Sequence, residues 1–182
     1  KCMVDMGFKE ESCTMIDSLT GILKATLGGS EPWVTIESEM ELLRQYCIIL
    51  QKRYKGLFKL TFDIERATYN IKIIRFLLQP IIENSVFHGF ASMKKGGEIH
   101  VSTRLCNDQV VIVISDNGCG MPEEIVQKIL HDDVSSDHIG LKNVYRRIKL
   151  HYEDSADVRI TSRAGTGTTV TMMLSTQVKG AV

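Results

Sequence analysis

The spacing of hydrophobic residues changes from a helical period to a strand period near Gly56. Within residues 11–28, apolar side chains recur at steps of three and four, which predicts an amphipathic helix that ends at a pair of glycines. A second helix is predicted from Thr35, a residue type that suits the N-cap, to Gly56. Residues 1–56 are therefore predicted to form a helical hairpin.

The second predicted helix carries a continuous apolar stripe at alternating steps of four and three residues: Ile36, Met40, Leu43, Cys47, Leu50 and Tyr54. Acidic side chains lie near its start and basic side chains near its end, as the helix dipole favours. The stripe fits two structures equally well, because a helix face packed on the core and the seam of a helical dimer have the same spacing.

Beyond Gly56, hydrophobic and polar residues alternate, as in a strand with one buried face: Phe58, Leu60, Phe62 and Ile64. The same reasoning predicts further strands at residues 99–105, 110–114, 158–162 and 168–174, and a helix at residues 141–148. Strands joined as hairpins, with helices between them, predict an α+β domain over residues 57–182. Its sheet is expected to be mixed, mostly antiparallel, and covered by helices on one face.

Residues 72–88 are mostly apolar and are predicted to be helical around Pro80. Proline lacks a backbone N–H and fits the first turn of a helix, so Pro80 is expected to start a helical turn rather than to lie within one.

Composition narrows the class of protein. The chain has 182 residues, in which 22 Lys and Arg balance 22 Asp and Glu, and 43% of the residues are hydrophobic. Such a balance is typical of a soluble globular chain and argues against electrostatic binding to nucleic acid or acidic lipid.

Five cysteines without zinc-finger or CxxC spacing predict reduced thiols in the cytoplasm. No apolar run has the ~20 residues of a membrane span, so any membrane part is expected outside this sequence.

Three glycine-rich segments lie at the junctions between predicted elements, at residues 116–122, 138–141 and 165–169. The first follows the most apolar strand, the second precedes a helix, and the third precedes the last strand. Each alone is also compatible with an ordinary turn. The two commonest phosphate-binding patterns, GxxxxGK[ST] and a GxGxxG after a strand, are absent from the sequence.

A fourth segment, residues 79–89, places Glu83 and Asn84 side by side in an otherwise apolar helix. Burying both side chains without a ligand would be costly. Asn84 and His88 are four residues apart and share a helical face, and an amide oxygen is a suitable Mg²⁺ ligand. The alternative is an internal role for the Glu-Asn pair with His88 at the surface.

In this order, the four segments resemble the ATP-binding domain shared by gyrase-type topoisomerases, large heat-shock chaperones, mismatch-repair ATPases and sensor histidine kinases. The resemblance covers residues 57–176. Residues 78–89 and 139–147 are similar in particular to the bacterial LytS/YesM-type sensor histidine kinases, as is the preceding helix over residues 39–54. It implies a Bergerat-type fold, which is a two-layer α/β sandwich, with ATP and Mg²⁺ as cofactors.

The resemblance also implies roles for individual residues. Asp116 would accept the adenine amino hydrogen, with Gly118 and Gly120 beside the base. Asn84 would bind Mg²⁺, and Glu83 would be the catalytic residue that orients or deprotonates the nucleophile. The rest of the nucleotide-binding set would be His88, Met121, Gly140, Leu141, Asn143, Gly165, Gly167 and Thr168.

The function implied is that of the catalytic ATP-binding portion of a two-component sensor histidine kinase. The γ-phosphoryl group would pass to a histidine upstream of this sequence and then to a response regulator. Residues 1–56 would be a remnant of the dimerisation and phosphoacceptor region, and the full-length protein would be a homodimer in the bacterial cell membrane.

The family's acceptor histidine lies in a Pro-His-Phe segment, and this sequence contains no such segment. Two alternatives remain open, an anti-sigma-type serine protein kinase and an ATP-gated interaction module without turnover.

Overall fold

The computed structural model describes residues 16, 18–21, 23, 31–131 and 139–177. Its strands are β1 (Trp33–Thr35), β2 (Phe58–Ile64), β3 (Lys72–Ile74), β4 (Gly97–Cys106), β5 (Gln109–Asp116), β6 (Ala156–Arg163) and β7 (Gly167–Ser175). Its longer helices are α1 (Ile36–Arg53), α2 (Gln79–Asn84), α3 (Glu123–Leu130) and α4 (Ile139–Tyr152). Shorter 3₁₀ and π turns lie at Arg66–Thr68, Ser85–Gly89 and Glu153–Ser155.

Five strands form one sheet in the order β2-β4-β5-β7-β6. Strand β2 pairs parallel to β4, and the other three pairs are antiparallel. Along β4, Ile99 and Val101 are buried, whereas Glu98 and His100 between and beside them are exposed. This alternation shows that helices cover one face of the sheet, and the predicted mixed, mostly antiparallel α+β fold is confirmed.

One hydrophobic core joins the inner face of the sheet to the helices. Five members of the predicted α1 stripe belong to it and are at most 4% exposed: Ile36, Met40, Leu43, Cys47 and Leu50. The stripe of α1 therefore packs on the core, as the first of the two alternatives expects. The division of the chain between residues 56 and 57 stays a prediction.

The ends of α1 follow the predicted capping. The side-chain oxygen of Thr35 accepts a hydrogen bond from the backbone N–H of Ser38 at 3.2 Å. Lys52 and Arg53 lie in the last turn, and Gly56 beyond it has a positive φ of 70°. These features confirm both ends of the predicted helix.

The first predicted helix lies partly outside the described residues. Residues 16, 18–21 and 23 are helical, and the side chains of Ile16, Leu19 and Leu23 are exposed. Within the described residues, every helix is too short or too polar to span a bilayer.

The segment predicted as helical at residues 72–88 divides into three parts. Lys72–Ile74 forms a strand rather than a helix, because it pairs with β1 in a small antiparallel sheet where Trp33 lies opposite Ile74. Residues 75–78 form a loop in which Phe76 has a positive φ of 55°. Helix α2 then begins with Pro80 in its first turn, as predicted.

The loop at residues 75–78 is held from two helices. The carboxylate of Glu39 on α1 accepts hydrogen bonds from the backbone N–H groups of Phe76 at 3.0 Å and Leu78 at 3.2 Å. Arg147 on α4 donates to the backbone carbonyl oxygens of Arg75 at 2.6 Å and Phe76 at 3.0 Å. The loop therefore fixes the start of α2 relative to both α1 and α4.

Glu39 is only 2% exposed, and its burial raises the pKa of its carboxyl group above the ordinary value of 4.5. The backbone hydrogen bonds and the charge of Arg147 oppose this effect without cancelling it. Because the folded protein holds this proton more tightly than the unfolded chain, protonation of Glu39 favours the folded state.

We expect the stability of the wild-type protein relative to Glu39→Gln to fall as pH rises through and above 4.5. The reason is that the folded state binds more protons at Glu39 in this range, so the free energy of unfolding has a negative slope with pH. Urea denaturation of both proteins at a series of pH values measures the difference. Glu37→Gln, on the exposed face of the same helix, controls for the loss of one charge. The expectation would be contradicted if the free energy of unfolding of the wild type, minus that of Glu39→Gln, increased with pH.

Candidate functional site

Asp116 lies at the end of β5, and three donors hold its side chain. Oδ1 accepts hydrogen bonds from the backbone N–H groups of Gly118 at 2.9 Å and Thr168 at 3.2 Å. Oδ2 accepts one from the hydroxyl of Ser85 at 2.7 Å. Thr168 is the antiparallel partner of Asp116 in β7, so the sheet register itself brings one of these donors to the carboxylate.

The loop after β5 packs directly against the π turn at Ser85–Gly89. A Cβ atom on Gly118 would lie 2.7 Å from the backbone of Gly89, and the N–H of Cys119 donates to the Gly89 carbonyl at 2.8 Å. Only a residue without a side chain allows this approach of two backbones. Gly118 is thus required by the contact between the first and fourth predicted segments.

A similar contact joins the first segment to the turn between β6 and β7. A Cβ atom on Gly167, where φ is 98°, would overlap the carbonyl oxygen of Asp116, and one on Gly120 would overlap that of Arg163. The N–H of Gly165 donates to the Cys119 carbonyl at 2.7 Å. The glycines at these positions serve close packing between backbone segments.

Ser162 belongs to the same network and was not predicted. Its hydroxyl accepts from the backbone N–H of Met121 at 2.8 Å and lies 3.0 Å from both the Gly167 carbonyl and the Thr168 hydroxyl. The signal was present in the sequence. Ser162 continues the inward-facing positions of β6, which are otherwise apolar, and a polar residue at such a position needs partners.

Glu83 lies on α2 and faces α1. Its Oε1 accepts hydrogen bonds from the Tyr46 hydroxyl at 2.7 Å and from the side-chain amide of Gln79 at 3.0 Å. Asn84 beside it is only 9% exposed, whereas His88 is exposed. Residues 85–89 continue α2 as a π turn, a wider helical turn that often occurs at functional sites and that the sequence pattern did not predict.

The start of α4 lies beside the start of α2. A Cβ atom on Gly140 would come within 3.5 Å of the Pro80 carbonyl oxygen. Leu141 is buried in the core and Asn143 is exposed on α4. Residues 121–140 are predicted to form a lid over the nucleotide, and residues 132–138 of this segment lie outside the described residues.

The structure thus brings seven predicted residues into one contact network: Asp116, Gly118, Gly120, Met121, Gly165, Gly167 and Thr168. It places Glu83, Asn84, His88 and Gly140 on the adjoining helices. Across the described ranges, no group of three or more His, Cys, Asp or Glu side chains is arranged to hold a metal ion.

Residues 70–178 match the family described as histidine kinase-, DNA gyrase B-, and HSP90-like ATPases. The chain belongs to this family. Its fold resembles a histidine kinase domain from the blue-light activated kinase of Erythrobacter litoralis, with a TM-score of 0.59, 16% identity, and coverage of 91% of this chain and 74% of that one. It also resembles the catalytic domain of histidine kinase ThkA, with a TM-score of 0.57, 17% identity, and coverage of 81% and 97%.

Similar sequences include three sensor kinases. The sensor histidine kinase YpdA of Escherichia coli is 29% identical over 69% of this chain and 22% of its own length. Sensor protein LytS of Staphylococcus saprophyticus is 29% identical over 84% and 27%. Sensor histidine kinase YesM of Bacillus subtilis is 27% identical over 88% and 27%. The chain spans about a quarter of the length of these relatives.

These comparisons confirm the predicted Bergerat-type ATP-binding fold and the resemblance to LytS/YesM-type kinases. The chain therefore carries an ATP-binding domain of this family, and its sequence and fold are similar to those of sensor histidine kinases. The roles of individual residues stay predictions.

We expect Gly167→Ala to destabilise the protein more than Gly165→Ala. Both glycines have a positive φ, which costs an alanine about 1 kcal/mol. Only the methyl group at position 167 would also overlap the Asp116 carbonyl, whereas nothing lies within 4 Å at position 165. Overpacking adds roughly 2 kcal/mol to the loss in the free energy of unfolding, which denaturant titration measures. Equal losses would contradict the close packing of these segments.

Proposed function

We propose that this chain binds Mg·ATP and transfers its γ-phosphoryl group to a histidine on a segment upstream of residue 1. The observation that carries the proposal is the oriented carboxylate of Asp116 at the end of β5. The similarity to sensor histidine kinases supports a histidine acceptor over the serine-kinase and interaction-module alternatives.

Asp116 would bind the adenine base. A carboxylate has about four lone-pair sites, two on each oxygen. Two protein donors occupy Oδ1 and one occupies Oδ2, so one site on Oδ2 remains for a further donor. The exocyclic amino group of adenine is such a donor, whereas guanine presents an acceptor at the equivalent position. The protein contacts of Asp116 thus favour adenine over guanine nucleotides.

Asn84 would hold Mg²⁺ beside the triphosphate. Mg²⁺ prefers oxygen ligands and keeps several waters and phosphate oxygens, so a single amide oxygen fits an ion that arrives with ATP. Bound Mg²⁺ would neutralise charge on the phosphate oxygens. Gly140 and the N-terminal N–H groups of α4, which starts beside α2, would bind phosphate oxygens.

Glu83 would act as the base. In the transfer, an imidazole nitrogen of the acceptor histidine attacks the γ-phosphorus, a nitrogen–phosphorus bond forms, and the bond from γ-phosphorus to the bridging oxygen breaks. ADP leaves with that electron pair, and the remaining N–H proton of the imidazole passes to Glu83. Positioning and charge neutralisation supply most of the rate in such reactions.

The wider protein would work as a two-component kinase. A response regulator would receive the phosphoryl group from the histidine, and the full-length protein would be a homodimer with its membrane segments upstream. The similarity to sensor histidine kinases supports a response regulator as the partner in general.

We expect Asp116→Asn to weaken ATP binding by roughly tenfold to a hundredfold, the usual cost of a lost bond to a charged group. The amide oxygen can replace Oδ1 and keep both backbone donors, while the amide nitrogen replaces Oδ2 and turns an acceptor for adenine into a donor. Calorimetric titration with ATP and with tripolyphosphate measures the effect.

Tripolyphosphate affinity should change much less than ATP affinity. Asp108→Asn is the matched control. Asp108 is exposed in the turn between β4 and β5, at the end of β5 opposite Asp116. Equal losses for ATP and tripolyphosphate would place Asp116 away from the base.

We expect Glu83→Gln and Asn84→Ala to separate transfer from metal binding. Glu83→Gln should retain ATP affinity and lower the transfer rate by roughly 10²- to 10⁴-fold, because the proton acceptor is lost. Asn84→Ala should instead change the Mg²⁺ concentration needed for ATP binding. Both are measured by ATP titration at varied Mg²⁺ and by labelling from γ-labelled ATP, in a chain extended upstream to include the acceptor. If Glu83→Gln changed the Mg²⁺ requirement and Asn84→Ala lowered only the transfer rate, the roles of base and metal ligand would have to be exchanged.

A further inference from the structure

The orientation of Glu83 is set by a residue outside the nucleotide-binding segments. The terminal torsion of a glutamate side chain is broad, so its rotamer does not fix where the two carboxylate oxygens point. Hydrogen bonds must do so, and the structure shows two donors, Tyr46 at 2.7 Å and Gln79 at 3.0 Å, on the same oxygen, Oε1. Gln79 lies on the same helix as Glu83, whereas Tyr46 lies on α1.

Tyr46 is held in place by the packing of α1 along the whole segment that carries Glu83. Before Tyr46, Glu39 binds the backbone at residues 76 and 78. After it, the ring of Tyr54 packs edge-on against that of Phe87 at 6.1 Å between centroids. Glu39, Tyr46 and Tyr54 thus contact residues that follow one another in the same order along the chain. Together these contacts fix the register of α1 against α2.

We propose that Tyr46 is a positioning residue for Glu83, an inference that rests on the proposed function. With Oε1 occupied by the Tyr46 hydroxyl and the Gln79 amide, Oε2 is the oxygen that faces the acceptor imidazole and takes its proton. A carboxylate held in one orientation receives the proton without first reorienting, and small misplacements of reacting groups are costly to rate.

The chemistry of Tyr46 suits a permanent donor. Burial, followed by the hydrogen bond to Glu83 and the charge of Glu83, raises the pKa of Tyr46 above its ordinary value of 10. The phenol of Tyr46 therefore stays protonated at neutral pH, and its hydroxyl remains a hydrogen-bond donor to Glu83. Its partly buried ring packs against the core, so removal of the hydroxyl alone leaves the packing of α1 intact.

The test is Tyr46→Phe in a chain extended upstream to include the acceptor histidine. We expect the rate of transfer at saturating ATP to fall by roughly tenfold, because Gln79 alone then orients Glu83. The dissociation constant for ATP should stay within twofold of the wild-type value. The midpoint of thermal unfolding should stay within a few degrees of the wild-type midpoint. Tyr54→Phe, at the C-cap of the same helix, is the matched control, and its transfer rate should match wild type.

A double-mutant comparison separates positioning from a general structural role. In the Glu83→Gln background, Tyr46→Phe should cause no further loss of transfer, because no proton acceptor remains to be oriented. The same loss in both backgrounds, or a parallel loss of ATP affinity, would overturn the proposal. If Glu83→Gln itself leaves transfer unchanged, the assignment of the base in the proposed function is wrong, which is a different outcome.

Discussion

The burial of one carboxylate constrains the arrangement of three helices. Glu39 is 2% exposed, and a charge in that environment is stable only if donors surround it. It finds them in the backbone N–H groups just before α2, while Arg147 from α4 binds the carbonyl groups of the same loop. The loop accepts a left-handed Phe76 to present these groups, at a cost of about 1–3 kcal/mol. Helices α1, α2 and α4 therefore meet at one polar junction inside an apolar core.

A second, half-buried carboxylate organises the opposite end of the site in a different way. Asp116 is held by donors from three separate segments, and the segments reach it only because glycines let their backbones touch. The first junction orients helices through side chains, and the second brings loops together through backbones. Glu83 and Asn84 lie between the two junctions, so errors at either one would misplace them.

Features with a local period were predictable from the sequence, and features that depend on distant partners were not. The strands of the sheet, α1 with its cap, and the turn at Pro80 follow from spacing and residue type. The short strand β3 was missed because its helix-like composition was overridden by pairing with β1. The bond between Tyr46 and Glu83 joins residues 37 positions apart, and no local pattern encodes such a contact. Ser162 was different, since its polar side chain broke an apolar alternation.

The contacts of α1 also bear on how its position can change. Glu39 and Tyr46 are seven residues apart, nearly two helical turns, and so lie on the same face. A rotation that separates the Tyr46 hydroxyl from Glu83 must therefore also draw the Glu39 carboxylate away from its backbone donors. Leaving that buried carboxyl group without its backbone donors would cost about 1–3 kcal/mol for each lost bond. This cost adds to the loss of the Tyr46–Glu83 hydrogen bond itself. We therefore expect α1 and α2 to move as one body, so that the donor to Glu83 stays in place while other parts of the site open or close.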